Sequence, residues 1–312
     1  MQYKLVTIFG GGGFLGRYVA QELLGKGARI RVAERNPSDA MHIRPLGGLG
    51  QVQFVAADVT KPATLSRAVE GADAVINLVG ILKGDFYRVH VEGAGNVARA
   101  AAAAGASGLV HISAIGADPK SHSEYGRTKG QGEEAVQAAF PRASIIRPSL
   151  IFGREDQFTN RFAGLIRAAP IVPIIAGKTK FQPVYAADAG KAIALAALEP
   201  EKYGGKIHEL GGPQVMSMEE IHHWIAKETG RHPNFLAVPD ALADPLIGLT
   251  GWLPGAPITS DQWKMLQHDN IMSPAAKGLS AFGIDPTPMA AVVPAWLVQY
   301  RKHGRFSTHA SA

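Results

Sequence analysis

Apolar runs of strand length alternate with segments of helix length through the first half of the chain, and this alternation limits the fold more than any other feature. The runs are KLVTIF (4–9), RIRVA (29–33), VQFVA (52–56), AVINLV (74–79), GLVHIS (108–113) and ASIIR (143–147). Between them lie Phe14–Lys26, Pro62–Val69, Val89–Ala104 and Tyr125–Ala139, with helical spacing or helix-forming composition. Strands joined by helical crossovers predict an α/β fold with a doubly wound parallel sheet covered on both faces. After Arg147-Pro148, prolines at 170, 173, 183, 213, 233, 239, 245, 254 and 257 break the chain into short pieces. The expected organisation is therefore a Rossmann-type domain over 1–148 and a smaller irregular lobe over 149–312. That lobe would be discontinuous, because the helical segment within 182–200 is expected to return to the first domain.

The first crossover opens with TIFGGGGFLGRYV. Glycine is costly in ordered backbone because it loses the most conformational freedom on folding, so four in a row need a reason. Gly10, Gly13 and Gly16 follow a strand and open a helix. In that setting the first glycine permits the tight turn, the second lets a pyrophosphate reach the backbone, and the third lets helix and strand pack closely. The first-turn amides, at Phe14 and Leu15 among others, and the positive helix end then hold phosphate. A nicotinamide dinucleotide is the ligand this arrangement predicts.

The end of the second strand is where the adenosine ribose is read, an acid favouring NAD and an arginine NADP. Here AERNP offers both Glu34 and Arg35, and Arg17 follows the third glycine. Two guanidinium groups grip a phosphate with bidentate geometry. With Glu34 turned aside, Arg17 and Arg35 favour NADP(H) over NAD(H). Asp58, next to Val59 in AADVT, either accepts a hydrogen bond from the adenine amine or caps the following turn. INLVG puts Val79 and Gly80 at the carboxyl end of the fourth strand, where the backbone of the cofactor passes.

Ser113 ends the fifth strand, and YGRTK supplies Tyr125 and Lys129. These two share a helix face at i and i+4. A phenol with an ordinary pKa near 10 is a poor base at neutral pH; a nearby ammonium lowers it and suits Tyr125 to exchange a proton with a substrate hydroxyl or carbonyl. Ser113 can bond the same oxygen, and Lys129 can reach the nicotinamide ribose. Ser113, Tyr125 and Lys129 are thus the candidate catalytic set.

GGGGFLG, INLVG, Ser113 and YGRTK resemble the extended and atypical short-chain dehydrogenase/reductase superfamily, which includes NAD-dependent epimerases and dehydratases. FLGRYV (14–19), RPSLIFGREDQFTNRFA (147–163), QPVYAADAGKAI (182–193) and GIDPTP (283–288) further resemble the nucleotide-binding accessory subunits of respiratory complex I, the alpha-subcomplex subunit nine family. That resemblance implies a reductase-like fold holding NADPH in a structural or assembly role, beside the peripheral arm and near the membrane. It implies Gly10, Gly13 and Gly16 on the pyrophosphate, Arg17 and Arg35 on a 2′-phosphate, and Tyr125 and Lys129 on the nicotinamide ribose. The retained Ser113, Tyr125 and Lys129 leave a free-standing reductase or epimerase/dehydratase as the alternative.

Composition removes other classes. The chain has no cysteine, so thiolate catalysis and cysteine-based metal centres are excluded. The histidines, His222 and His223 included, show no metal-ligand spacing, and neither a G-x-S-x-G elbow nor a Walker loop is present. The net charge of +6 comes with no nucleic-acid-binding module, so nucleic acid is not an expected partner. Met1 runs straight into a strand-like segment without an apolar leader, and the long uncharged stretches are interrupted; a cytoplasmic chain, peripheral to the membrane, is expected. Two features remain as candidate contact surfaces. One is the basic tail with Arg301, Lys302 and Arg305 beside Trp296, Tyr300 and Phe306, either solvated or set against headgroups. The other is the apolar stretch Leu242–Ile258. Arg154 and Asp156, in FGREDQF, are expected to pair or to cap a turn.

Overall fold

A computed structural model describes residues 4–239, 241, 243–245, 247, 258–302 and 304. Two compact units emerge. The first comprises residues 1–148, 186–210 and 273–285, the second 149–185, 211–272 and 286–312.

In the first unit the strands are β1 (Leu5–Phe9), β2 (Arg29–Glu34), β3 (Val52–Ala56), β4 (Ala74–Asn77), β5 (Gly108–Ile112), β6 (Ser144–Pro148) and β7 (Ile207–Leu210). They form one sheet in the order β7-β6-β5-β4-β1-β2-β3, with every neighbouring pair parallel. The helices are α1 (Phe14–Gly25), α2 (Leu65–Val69), α3 (Ala94–Ala103), α4 (Glu124–Ala139) and α5 (Ala186–Leu198). Parallel strands covered on both faces must be apolar on both, and Val6, Ile8, Phe9, Val75, Ile76, Leu109, Val110, Ile145 and Ile146 are all buried. Val97, Ala98 and Ala101 of α3 and Val136 of α4 close one face. On the other, Gly190 of α5 lies against Tyr18 of α1 so closely that a Cβ would sit 3.0 Å from the Tyr18 carbonyl carbon. The order reverses between β1 and β4, the switch point where open α/β sheets bind ligands.

Two crossovers depart from simple helices. Pro62 starts a 3₁₀ turn, Pro62–Thr64, before α2, and Tyr87–Gly93 is a π-helical turn leading into α3, a feature often found at functional sites. The seventh strand extends the six read from the sequence, and residues 273–285 join this unit.

The second unit is built of short pairs: Ile151–Phe152 with Val184–Tyr185, Lys180–Phe181 with Met216–Ser217, and Ile171–Ile174 with Asn234–Ala237. Its helices Thr159–Ala168 and Met218–Thr229 share a core with Phe152, Val172, Ile174, Val293, Trp296 and Leu297. Asp156 accepts from the amides of Gly153, Phe158 and Thr159 and from the Thr159 hydroxyl, so it shapes the turn that opens a helix, as expected. His222 is buried with Nδ1 on the Met218 carbonyl. At the start of the tail Trp296 is a core residue, and Arg301 Nε donates to the Glu228 carbonyl. Arg305, Phe306 and most of Leu242–Ile258 lie outside the described residues. Among the described residues no helix is long and apolar enough to cross a membrane, and no cluster of His, Asp or Glu could hold a metal ion.

Candidate functional site

A cleft of about 750 Å³ lies over the carboxyl ends of β1 to β4. Its walls include Gly10, Gly12, Gly13, Glu34, Arg35, Asp39, Asp58, Val59, Lys61, Val79 and Gly80. The glycine loop is built as its spacing requires. Gly10 has φ +75°, which favours glycine, and its amide donates to the Ala33 carbonyl. A Cβ at Gly16 would fall 2.4 Å from the Gly11 carbonyl oxygen, so α1 can approach the loop only through a bare position. Gly13 is the N-cap of α1 and no side chain caps it. The first intrahelical bond runs from Arg17 N to Gly13 O, so the first-turn amides at Phe14, Leu15 and Gly16 precede it. This cradle, free of side chains, fits a pyrophosphate.

At the other end Glu34 does not turn aside. Its Oε1 accepts from Gly12 N at 2.7 Å, and burial raises its pKa against the opposing effects of that amide and Arg35. Arg35 lines the cleft; Arg17 is exposed and does not. Asp58 forms the turn: Oδ1 accepts from the Thr60 amide and hydroxyl at 3.0 and 2.8 Å. Burial alone would raise its pKa, but these bonds with Lys61 and Arg35 hold it below the ordinary value.

Ser113, Tyr125 and Lys129 are outside the cleft lining and gather where β5 meets α4. Backbone pairing of Ser113 N with Ile146 O and of Ile115 N with Pro148 O carries the β5 edge onward and fixes Ser113. Its hydroxyl is buried and has no hydrogen-bond partner. Lys129 Nζ donates to the Ile112 carbonyl at 2.6 Å. Burial brings the Lys129 ammonium down to about 8, with Glu133 opposing. Burial pushes the Tyr125 phenol up to about 12. The Lys129 ammonium is thus directed to backbone, and burial favours the neutral phenol of Tyr125.

Two buried histidines that sequence reading passed over tie the two regions together. His90 Nε2 accepts from Ile81 N at 3.1 Å, so its proton is on Nδ1, 3.1 Å from Thr128 Oγ1, whose own hydrogen serves the Glu124 carbonyl. Burial, with Lys129 adding, lowers His90 to about 4 and keeps it neutral. Asn77 Oδ1 accepts from Val79 N, leaving its amide nitrogen to donate to His111 Nδ1 at 3.2 Å. His111 Nε2 then carries a proton and is buried without a partner, like the Ser113 hydroxyl. The amides on either side of Gly80 are thus both held from within, and the loop is anchored to α4. The available signal was the pair of glycines in KGQGE: a Cβ at Gly132 would lie 2.1 Å from the His90 carbonyl oxygen. Glu133 and Arg147 add a two-bond ion pair at 2.8 and 2.6 Å behind Lys129.

A switch-point cleft over a glycine loop, with Ser113 after β5 and Tyr125 and Lys129 on α4, defines a Rossmann-type α/β fold. An NADPH-dependent quinone oxidoreductase from Escherichia coli, solved with NADPH, shares this fold, with a TM-score of 0.74 over 94% of this chain and 99% of that one at 20% identity. The chain belongs to the NmrA-like family, whose profile matches residues 2–254. It is also similar, at 35% identity over 297 residues, to the mouse mitochondrial NADH dehydrogenase [ubiquinone] 1 alpha subcomplex subunit 9, covering 91% of this chain and 77% of that protein. A ceramide reductase of Caulobacter vibrioides is 30% identical over 291 residues, covering 92% of this chain and 87% of the relative.

Proposed function

We propose that this chain is a dinucleotide-holding accessory or assembly component of respiratory complex I, in which the bound coenzyme is mainly structural. The observation that carries this reading is the position of Lys129, whose ammonium donates to the Ile112 carbonyl at 2.6 Å, while burial favours the neutral form of Tyr125. Such a pair positions a ligand better than it moves a proton at neutral pH. The likeness to complex I subunits over nine-tenths of the chain supports the same reading.

In this role the first-turn amides at Phe14, Leu15 and Gly16 receive the pyrophosphate above the bare backbone of Gly10 and Gly13, and Glu34, Arg35 and Asp58 frame the adenosine end. Val79 and Gly80 flank its path, and Ser113, Tyr125 and Lys129 meet the nicotinamide end. When bound, the nicotinamide supplies hydride chemistry; the chain's own residues orient it and exclude water. Binding to the folded state alone stabilises the fold by mass action, about 2.7 kcal/mol at a hundredfold excess over Kd. The partner is the peripheral arm, at the cytoplasmic face of a bacterial inner membrane. Native electrophoresis of mild-detergent extracts tests this: the chain should co-migrate with complex I and release a nicotinamide dinucleotide on denaturation, identified by mass spectrometry. Migration solely as a free small species would refute it.

A second reading, a free-standing NAD(P)-dependent reductase or epimerase, is favoured by the buried Ser113 hydroxyl standing unpartnered beside Lys129 and by the likeness to a ceramide reductase. It requires turnover of a ketone, quinone or sugar nucleotide that Tyr125→Phe abolishes while coenzyme binding survives.

A further inference from the structure

We infer that Glu34 makes this chain a holder of NAD(H), whose adenosine ribose carries a free 2′-hydroxyl, in preference to NADP(H). The inference rests on the reading of the cleft as a dinucleotide site and reverses the preference that Arg17 and Arg35 suggest in the sequence.

Position comes first. Glu34 is the last residue of β2, beside the switch point, where this fold presents a side chain to the adenosine ribose. Its carboxylate is fixed against the glycine loop: Oε1 is 2.7 Å from Gly12 N, and a Cβ at Gly12 would be 3.1 Å from the same oxygen. One oxygen is engaged and the other retains acceptor capacity. A ribose hydroxyl can donate to that group. A 2′-phosphate offers oxygens that mostly accept, so acceptor would face acceptor.

Charge agrees. At this end of the cleft three carboxylates, Glu34, Asp39 and Asp58, face two cations, Arg35 and Lys61. Lys61 Nζ is 3.9 Å from Asp58 Oδ2, and the Arg35 guanidinium acts on both Glu34 and Asp58. A phosphate monoester adds about −1.5 to −2 of charge at neutral pH to a surface already one carboxylate in excess. The free hydroxyl adds none.

Calorimetric titration of the full chain with NADH and with NADPH tests this. NADH should bind at least about tenfold more tightly, a difference of about 1.4 kcal/mol. Glu34→Gln removes the charge and should bring the two affinities to within about threefold, chiefly by improving NADPH. Because that change also weakens the bond to Gly12, Glu34→Asp serves as a second variant: it keeps the charge and should keep the preference for NADH. Tighter binding of NADPH by the native chain, or an NADH-to-NADPH ratio unmoved in Glu34→Gln, overturns the inference while leaving the dinucleotide site standing. Absence of heat with either ligand overturns the site itself and the inference with it.

Discussion

Replacing Glu133 tests whether the polar layer behind Lys129 is part of the fold. Arg147 donates to both carboxylate oxygens, at 2.8 and 2.6 Å, and the side chains are 22% and 5% exposed for Arg147 and Glu133. Removing one partner of a buried pair costs about 3–5 kcal/mol, because the remaining charge is left desolvated. Arg147 keeps some solvent, and Glu209 and Asp118 also stabilise its charge, so Glu133→Ala belongs at the lower end, about 3 kcal/mol. Glu133→Gln retains one acceptor and should cost about 2 kcal/mol. Replacing both residues by methionine removes the desolvated charges together and should fall within about 1 kcal/mol of the native chain. Urea unfolding followed by circular dichroism and tryptophan fluorescence reads all three variants; coincident transitions and a constant m-value license the comparison. A cost below about 1 kcal/mol for Glu133→Ala would place the pair among ordinary surface ion pairs and refute the argument. The same substitution bears on the site, because Glu133 opposes the burial effect on Lys129. In Glu133→Gln the Lys129 ammonium should titrate lower than in the native chain, as seen by NMR of the labelled side chain.

Gly16→Ala puts a methyl 2.4 Å from the Gly11 carbonyl oxygen; even after the helix-propensity gain it should cost about 1–3 kcal/mol and abolish dinucleotide binding in calorimetry. His90→Leu leaves the partly buried Ile81 amide without its acceptor, a loss of about 1 kcal/mol, whereas His90→Gln, which restores an acceptor, should lose less than half of that in urea unfolding. The pH dependence has a definite sign: His90 titrates near 4 folded and near 6.5 unfolded, so the unfolded chain binds the extra proton. Its contribution is therefore present above pH 6.5 and falls progressively towards pH 4, by about 3 kcal/mol in all; His90→Gln should flatten that part of the stability–pH curve. Lys129→Met removes a desolvated ammonium and should stabilise the empty chain by about 1 kcal/mol while weakening dinucleotide binding; a net destabilisation would contradict the burial assigned to Lys129.

The six strands read from periodicity fall within a residue or two of those observed, because a parallel sheet covered on both faces writes itself as continuous β-branched and apolar runs. AVINLV overshoots: β4 ends at Asn77, whose side chain takes the Val79 amide and turns the chain. β7 escaped notice because IHEL is an edge strand, apolar at only two positions and set among glycines and prolines. Val89–Ala104 reads as one helix, yet its start is π-helical, in register with the close approach of Gly132 to His90. The loop glycines were legible because backbone geometry demands that residue type at Gly10 and Gly16, and Asp58 because a carboxylate that takes the amide two residues on shapes a turn. The direction of Glu34 and the attachment of Lys129 to Ile112 were not, since charged side chains of the same type are compatible with several orientations. His90, His111 and Asn77 were invisible for a related reason: a hydrogen-bond network joins positions whose spacing has no period.

The hydroxyl of Ser113 and the imidazole proton of His111, both shielded from solvent and lacking acceptors, give the empty chain a local deficit that a bound molecule reaching Ser113 can relieve. Proteases act on the opened population rather than on the native one, so the half-life of this protein in the cell should lengthen when its coenzyme is abundant and shorten when it is scarce. Its abundance would then report the nucleotide supply of the cell without any dedicated sensor.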